Sequence, residues 1–191
     1  MIKLSILIPT TEDRKPFLKR LMDNLAPQVA DYFPFIEVLQ NDSPKPVSIG
    51  TKRNELLQRA KGKYVCFIDD DDLVAGNYIN LLMEGITKDV DCCSLKGIIT
   101  EDGNNPLIFE HALKYKVWLT NATSKEGEVR YERNPNHLNC IRASIAKQFS
   151  FPEKNQGEDH DWSTQVHKSG LIKSEHYIDQ VIYYYDYRSN K

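Results

Sequence analysis

The amino-acid sequence predicts an α/β fold: a mainly parallel sheet with helices on both faces, followed by a small mixed region. Three observations carry that expectation. Residues Leu4 to Ile8 and the stretch "YVCFI" at 64–68 are continuous apolar runs, as expected of strands buried on both faces. Helical stripes alternate with such runs in the order β-α-β-α-β-α-β, joined by short loops. Forty per cent of the 191 residues are hydrophobic, enough for one sizeable core.

The first strand, Leu4 to Ile8, is closed by Pro9. After the polar loop "TTEDRK" a helix carries Phe17, Leu18, Leu21, Met22 and Leu25 on one stripe. "FPFIEVLQ" reads as the second strand, ending at Asn41-Asp42. "SPKPVSIG" leads into a helix from Thr51 to Ala60, stopped by Gly62. "YVCFI" is the third strand, followed by a helix at Tyr78 to Ile86 and a strand at Cys92 to Ile99.

The second half changes character. "EDGNNP" is a turn cluster that starts a hairpin, and "HALKYKVWL" and "GEVRYER" read as strands of mixed burial. Leu138 to Ile141 is a short strand and Ala143 to Phe149 a short helix. "GEDHDWSTQVHKSG" is a helix with Trp162 and Val166 inward, and "VIYYYDYRSNK" is a final strand. No repeat or linker divides the chain, so one domain over residues 1–191 is expected.

The net charge of −2 argues against a dedicated nucleic-acid binder, which carries a basic surplus. No apolar run reaches the length of a membrane span, and "MIKLSILIPT" lacks a signal peptide's cleavage site. Cys66, Cys92, Cys93 and Cys140 lack metal-ligand spacing and read as buried thiols in a reducing cytoplasm.

The stretch that demands an explanation is "FIDDDD" at 67–72, four consecutive aspartates at the end of a buried strand. In an open parallel sheet, ligands bind in the crevice outside the carboxyl ends of the strands. Three such ends are legible: Pro9-Thr10-Thr11, Asn41-Asp42, and Asp69 to Asp72. Protonation or a cation relieves repulsion among the acids, and Mg²⁺ or Mn²⁺ often joins one or two carboxylates to a substrate phosphate. A solvated acidic loop is the plain alternative.

Taken in order, "SILIPTTEDR", "NDSP", "KRNELLQRAKGKYVCFIDDDD" and "GEDHDW" resemble the motifs of family 2 glycosyltransferases of the GT-A (Rossmann-like) fold. The resemblance covers residues 3 to 170. It implies inverting transfer of a sugar from a UDP- or GDP-linked donor to a hydroxyl on a glycan or other acceptor. It also divides the chain into a donor-binding half, 1–100, and an acceptor-binding half, 101–191. Matched position by position, Pro9, Thr10 and Asp42 would hold the nucleoside, with Asp42 on the base, and Arg53 would approach the nucleotide. Asp69 would contact ribose or donor sugar, beside Asp70. Asp71 would coordinate the metal on the diphosphate. Asp159 would be the general base, and Glu158 would steady it or touch an acceptor hydroxyl.

That assignment has a chemical logic. An acceptor hydroxyl is a poor nucleophile until a positioned carboxylate begins to take its proton. The departing diphosphate needs its developing charge neutralised. Glu158, Asp159 and Asp161 equally suit the first turn of a helix, where the dipole favours acids. His176 is the candidate to complete the metal site, and His137 and Trp162 to line the acceptor side. Trp118 and the Tyr183–Tyr187 cluster are further candidates to stack on a sugar, or plain core. Asn41 stands where the family commonly has an acid. A haloacid-dehalogenase-like phosphatase using Asp69 and Asp71, and a non-catalytic nucleotide-sugar-binding module, are the rival readings.

Overall fold

A computed structural model describes residues 1–116, 119–123 and 129–187, so Trp118 lies outside the described residues. In chain order the elements are β1 (Leu4–Pro9), α1 (Lys15–Ala30), β2 (Ile36–Asn41), α2 (Ile49–Arg59), β3 (Tyr64–Phe67), β4 (Leu73–Val74) and α3 (Tyr78–Thr87). Next come β5 (Cys92–Cys93), β6 (Leu95–Glu101), β7 (Asn104–His111), β8 (Leu119–Thr123), β9 (Val129–Arg133) and β10 (Ile141–Arg142). The chain closes with α4 (Ala143–Ala146), α5 (Glu158–Ser169), β11 (Glu175–His176) and β12 (Val181–Tyr187).

The strands form two sheets. The first has the order β11-β5-β10-β3-β1-β2, with β3, β1 and β2 parallel and β10 antiparallel to its neighbours. Alternation along β1 sorts its side chains onto two faces. Leu4, Ile6 and Ile8 pack with Leu21 and Leu25 of α1 and with α3. Leu7 packs on the other face with Leu56 and Leu57 of α2 and with Trp162 and Val166 of α5. Both faces are covered, which is why the run is apolar without a break.

The second sheet, β4-β12-β6-β7-β9-β8, is larger than the small mixed region expected. The strand expected at Cys92 to Ile99 breaks at Ser94, and its two parts belong to different sheets. The Ser94 hydroxyl accepts a hydrogen bond from the Ile178 amide at 2.7 Å, which anchors the break. The hairpin at "EDGNNP" forms, but its second strand runs from Asn104 to His111 instead of starting at His111. Neither β4 nor β11 was legible, because two-residue strands have no periodicity to read.

Of the helix starts, α2 is capped as its sequence allows: Ser48 accepts from the Thr51 amide at 3.2 Å. Its first turn lies against the loop that leads to α5. A Cβ added at Gly50 would overlap the Pro152 carbonyl, which is backbone and cannot step aside. Gly50→Ala should therefore destabilise the fold by about 1–3 kcal/mol through overpacking. Urea unfolding checks this, and an unchanged midpoint would show that the loop gives way.

Candidate active site

Two of the three strand ends, those of β1 and β3, converge, and the loop after β2 joins them through Lys45 to Val47. Two cavities open there and share Ile49, Asp69 and Asn155 in their walls. The donor-side cavity, about 500 Å³, is lined by Pro9, Thr10, Arg14, Lys45, Lys52 and Asp69 to Asp71, among others. The second cavity, about 280 Å³, has Asp69, Asp72, Glu158 and Asp159 facing Arg53, Arg133, His111 and His137, with Tyr131 and Tyr185 beside them.

The aspartates are held by partners from several elements, with Arg14 shared between Asp70 and Asp71. Asp69 accepts from Arg53 Nη2 at 2.9 Å. Asp70 accepts from the Thr10 hydroxyl at 2.6 Å and from Arg14 Nε and Nη2 at 2.8 and 2.6 Å. Asp71 pairs with Arg14 Nη2 at 2.8 Å, and Asp72 accepts from the Tyr183 hydroxyl at 2.7 Å. The cation expected among these acids is thus supplied in part by the chain's own guanidinium groups.

Arg53 is 2% exposed and lines the second cavity, not the donor side. Its Nη1 donates to Glu158 while Nη2 holds Asp69, so it ties the end of β3 to the first turn of α5. Burial opposes its charge, but Asp69 and Glu158 outweigh burial and raise its pKa. At Glu158 the balance falls the other way. Burial, greater there than the pull of Arg53, raises that carboxyl. Arg53, expected to approach the nucleotide, thus has Asp69 and Glu158 as its partners and stands on the side of the second cavity.

Asp159, two positions after the left-handed Gly157 (φ 71°), projects into the second cavity with 29% of its side chain exposed. Its Oδ2 lies 3.9 Å from His137 Nδ1, beyond hydrogen-bond range. His137 is 4% exposed, and neither of its ring nitrogens finds a partner among the described residues. Burial first, then Arg53, pushes its pKa well below 6.5. Burial and Arg133 bring His111 down to about 3.

Three expected site residues lie elsewhere. Asp42 is exposed and lines neither cavity. The Asn41 side chain holds the Ser43 amide at 3.0 Å and Glu55 at 2.6 Å, which turns the chain outward. Trp162 is 1% exposed, stacked on Phe151 at 4.9 Å, and donates to the Phe149 carbonyl; it is core. His176 sits on β11 beside Glu84 of α3 and Lys88 just after it, so it cannot join Asp71. Conversely, Arg14, Lys45, Lys52, His111 and Arg133 were not singled out. Arg14 and Lys52 lay inside quoted motifs, but nothing local marks the others; Tyr183, expected to stack on a sugar or to be plain core, is fully buried with its hydroxyl on Asp72.

A divalent cation fits what remains. Asp69 and Asp71 both reach the donor-side cavity, and Mg²⁺ or Mn²⁺ is commonly held by one or two carboxylates plus phosphates. Among the described residues no three His, Cys, Asp or Glu side chains form a cage, so donor oxygens would complete the shell.

The family model described as glycosyl transferase family 2 matches residues 22–151. Among solved structures, residues 1–349 of S. aureus TarS match with a TM-score of 0.64 and 17% identity, covering 97% of this chain and 60% of that one. The same protein in complex with UDP-GlcNAc matches at 0.57 and 14%, and with UDP at 0.56 and 15%. These likenesses show the GT-A fold. The chain spans about 60% of the length of those solved chains. No curated protein matches.

The two buried imidazoles make stability depend on pH. Below 6.5 the unfolded chain binds protons that His111 and His137 refuse when folded. Stability from each is thus present above 6.5 and is lost as pH falls, by roughly 1.4 kcal/mol per pH unit. Urea unfolding between pH 5 and 6.5 should show this slope, and His137→Gln should remove one histidine's share. An equal slope in both proteins would contradict the account.

Proposed function

This chain belongs to glycosyl transferase family 2, and from that premise we propose an inverting sugar transfer from a UDP- or GDP-linked donor to an acceptor hydroxyl. The phosphatase alternative falls with the family match. The single observation that carries the reading is the shared wall. Asp69 faces both cavities, so a donor on one side and an acceptor on the other would meet there.

On the donor side, Pro9 and Thr10 border the nucleotide and Arg14, Lys45 and Lys52 face its phosphates. Lys52 is only 4% exposed and donates to the Thr10 carbonyl at 2.6 Å, so its charge is held in place. Asp71, with Asp69, would hold Mg²⁺ or Mn²⁺; the ion would neutralise charge on the departing diphosphate. On the acceptor side Asp159 takes the proton of the attacking hydroxyl. Asp159 lines the second cavity and not the donor-side one, an arrangement that supports attack from the side away from the diphosphate and hence inversion. Neutral His137 and His111, with Tyr131 and Tyr185, line the space for the acceptor. The four buried thiols, none in a disulfide, support a cytoplasmic setting.

UDP or GDP with Mn²⁺ should raise the melting temperature, since either binds the folded state alone. Asp71→Ala should abolish the metal-dependent part of that shift. Asp159→Asn should keep the shift and lose transfer by about 10²-fold or more, the range of a general base. Full transfer by that variant would refute the role of Asp159, and no shift with any nucleotide diphosphate would refute the donor site.

A further inference from the structure

We propose that Arg14 is a displaceable counter-ion. It holds Asp70 and Asp71 before the donor arrives and gives up Asp71 when a diphosphate and a divalent cation enter. The inference rests on the reading of Asp71 as the cation's carboxylate.

The geometry has three parts. One nitrogen, Arg14 Nη2, serves both acids, at 2.6 Å from Asp70 Oδ1 and 2.8 Å from Asp71 Oδ2. Asp70 is also held by the Thr10 hydroxyl at 2.6 Å, so it keeps a partner if the guanidinium turns away. Asp71, 3% exposed, faces the same cavity. A cation bound at its Oδ2 would compete with Nη2 for the same oxygen, and the two positive charges would repel.

Arg14 is also placed to move. It ends the short 3₁₀ turn Glu12–Arg14 and leaves 27% of its side chain exposed. Its guanidinium lies over the Phe17 ring at 5.2 Å, on the wall of the donor-side cavity. Rotating the side chain alone would aim its fork at a diphosphate, the anion that guanidinium recognises in bidentate fashion. The diphosphate would thus draw Arg14 off Asp71 as the cation takes that carboxylate. Without nucleotide, Arg14 and the cation compete.

The test uses Mn²⁺ alone, without nucleotide, with the free ion followed by electron paramagnetic resonance. Arg14→Gln should bind Mn²⁺ roughly tenfold or more tightly than the wild type, the scale of a lost charge-assisted contact. Adding Asp71→Asn to Arg14→Gln should erase the gain. Arg14→Lys, which keeps the charge but loses the fork, should fall between, and it guards against a fold defect in the glutamine variant. Equal Mn²⁺ affinity in wild type and Arg14→Gln would overturn the inference, as would a gain that survives Asp71→Asn. The underlying reading is judged separately. If wild-type protein with UDP or GDP takes up Mn²⁺ and Asp71→Asn prevents it, the cation site stands even where the Arg14 inference fails.

Discussion

The site depends on one buried guanidinium. Arg53 sits between Phe67 and Phe151, its charge centre 5.9 and 5.7 Å from their rings, with Asp69 on one side and Glu158 on the other. Removing a cation from water is costly, and two carboxylates with hydrogen-bond geometry are what offset that cost. The consequence is mechanical. The end of β3 and the start of α5, 89 residues apart from Asp69 to Glu158, are held at a set distance. Asp159 follows Glu158 directly, so the same pairing that holds Asp69 aims the proposed base at the cleft.

The four aspartates are then intelligible as a group. They stand at one strand end, yet they turn to three different parts of the chain: Asp69 to α2, Asp70 and Asp71 to the turn before α1, Asp72 to β12. Each contact ties another element to the same turn. Tyr183 reinforces this, since its hydroxyl donates to Asp72 and accepts from the Asp69 amide at 3.3 Å. The acidic turn is thus a junction of both sheets as well as a wall of both cavities. Its charge is balanced by arginines when no other cation is near.

The two cavities differ in a way that suits different occupants. Arg14, Lys45 and Lys52 stand on one side against Asp69, Asp70 and Asp71, so an arriving diphosphate meets cations with acids behind them. On the other side four carboxylates face Arg53 and Arg133, and the imidazoles are held neutral by burial. In the proposed transfer, that surface would disfavour a strongly anionic acceptor near Asp159, and its hydrogen-bonding groups with aromatic faces would suit a neutral sugar hydroxyl.

Much of this was legible in the residues themselves. The unbroken apolar runs at Leu4 and Tyr64, the helical stripes, and the placing of Pro9, Thr10, Asp69 and Asp159 at strand or helix ends follow from local periodicity and from where parallel sheets bind ligands. The tertiary structure alone decided what those groups touch. Arg53 pairs with Asp69 and Glu158, Trp162 is core, Asp42 turns outward, and His176 belongs to a distant edge. His111, Arg133 and Tyr185 enter the cleft from the second sheet. Local pattern reports which face of an element is apolar, because that depends on neighbours three or four residues away. Which polar groups meet depends on how two sheets and five helices are stacked, and that is settled by contacts between residues far apart in the chain.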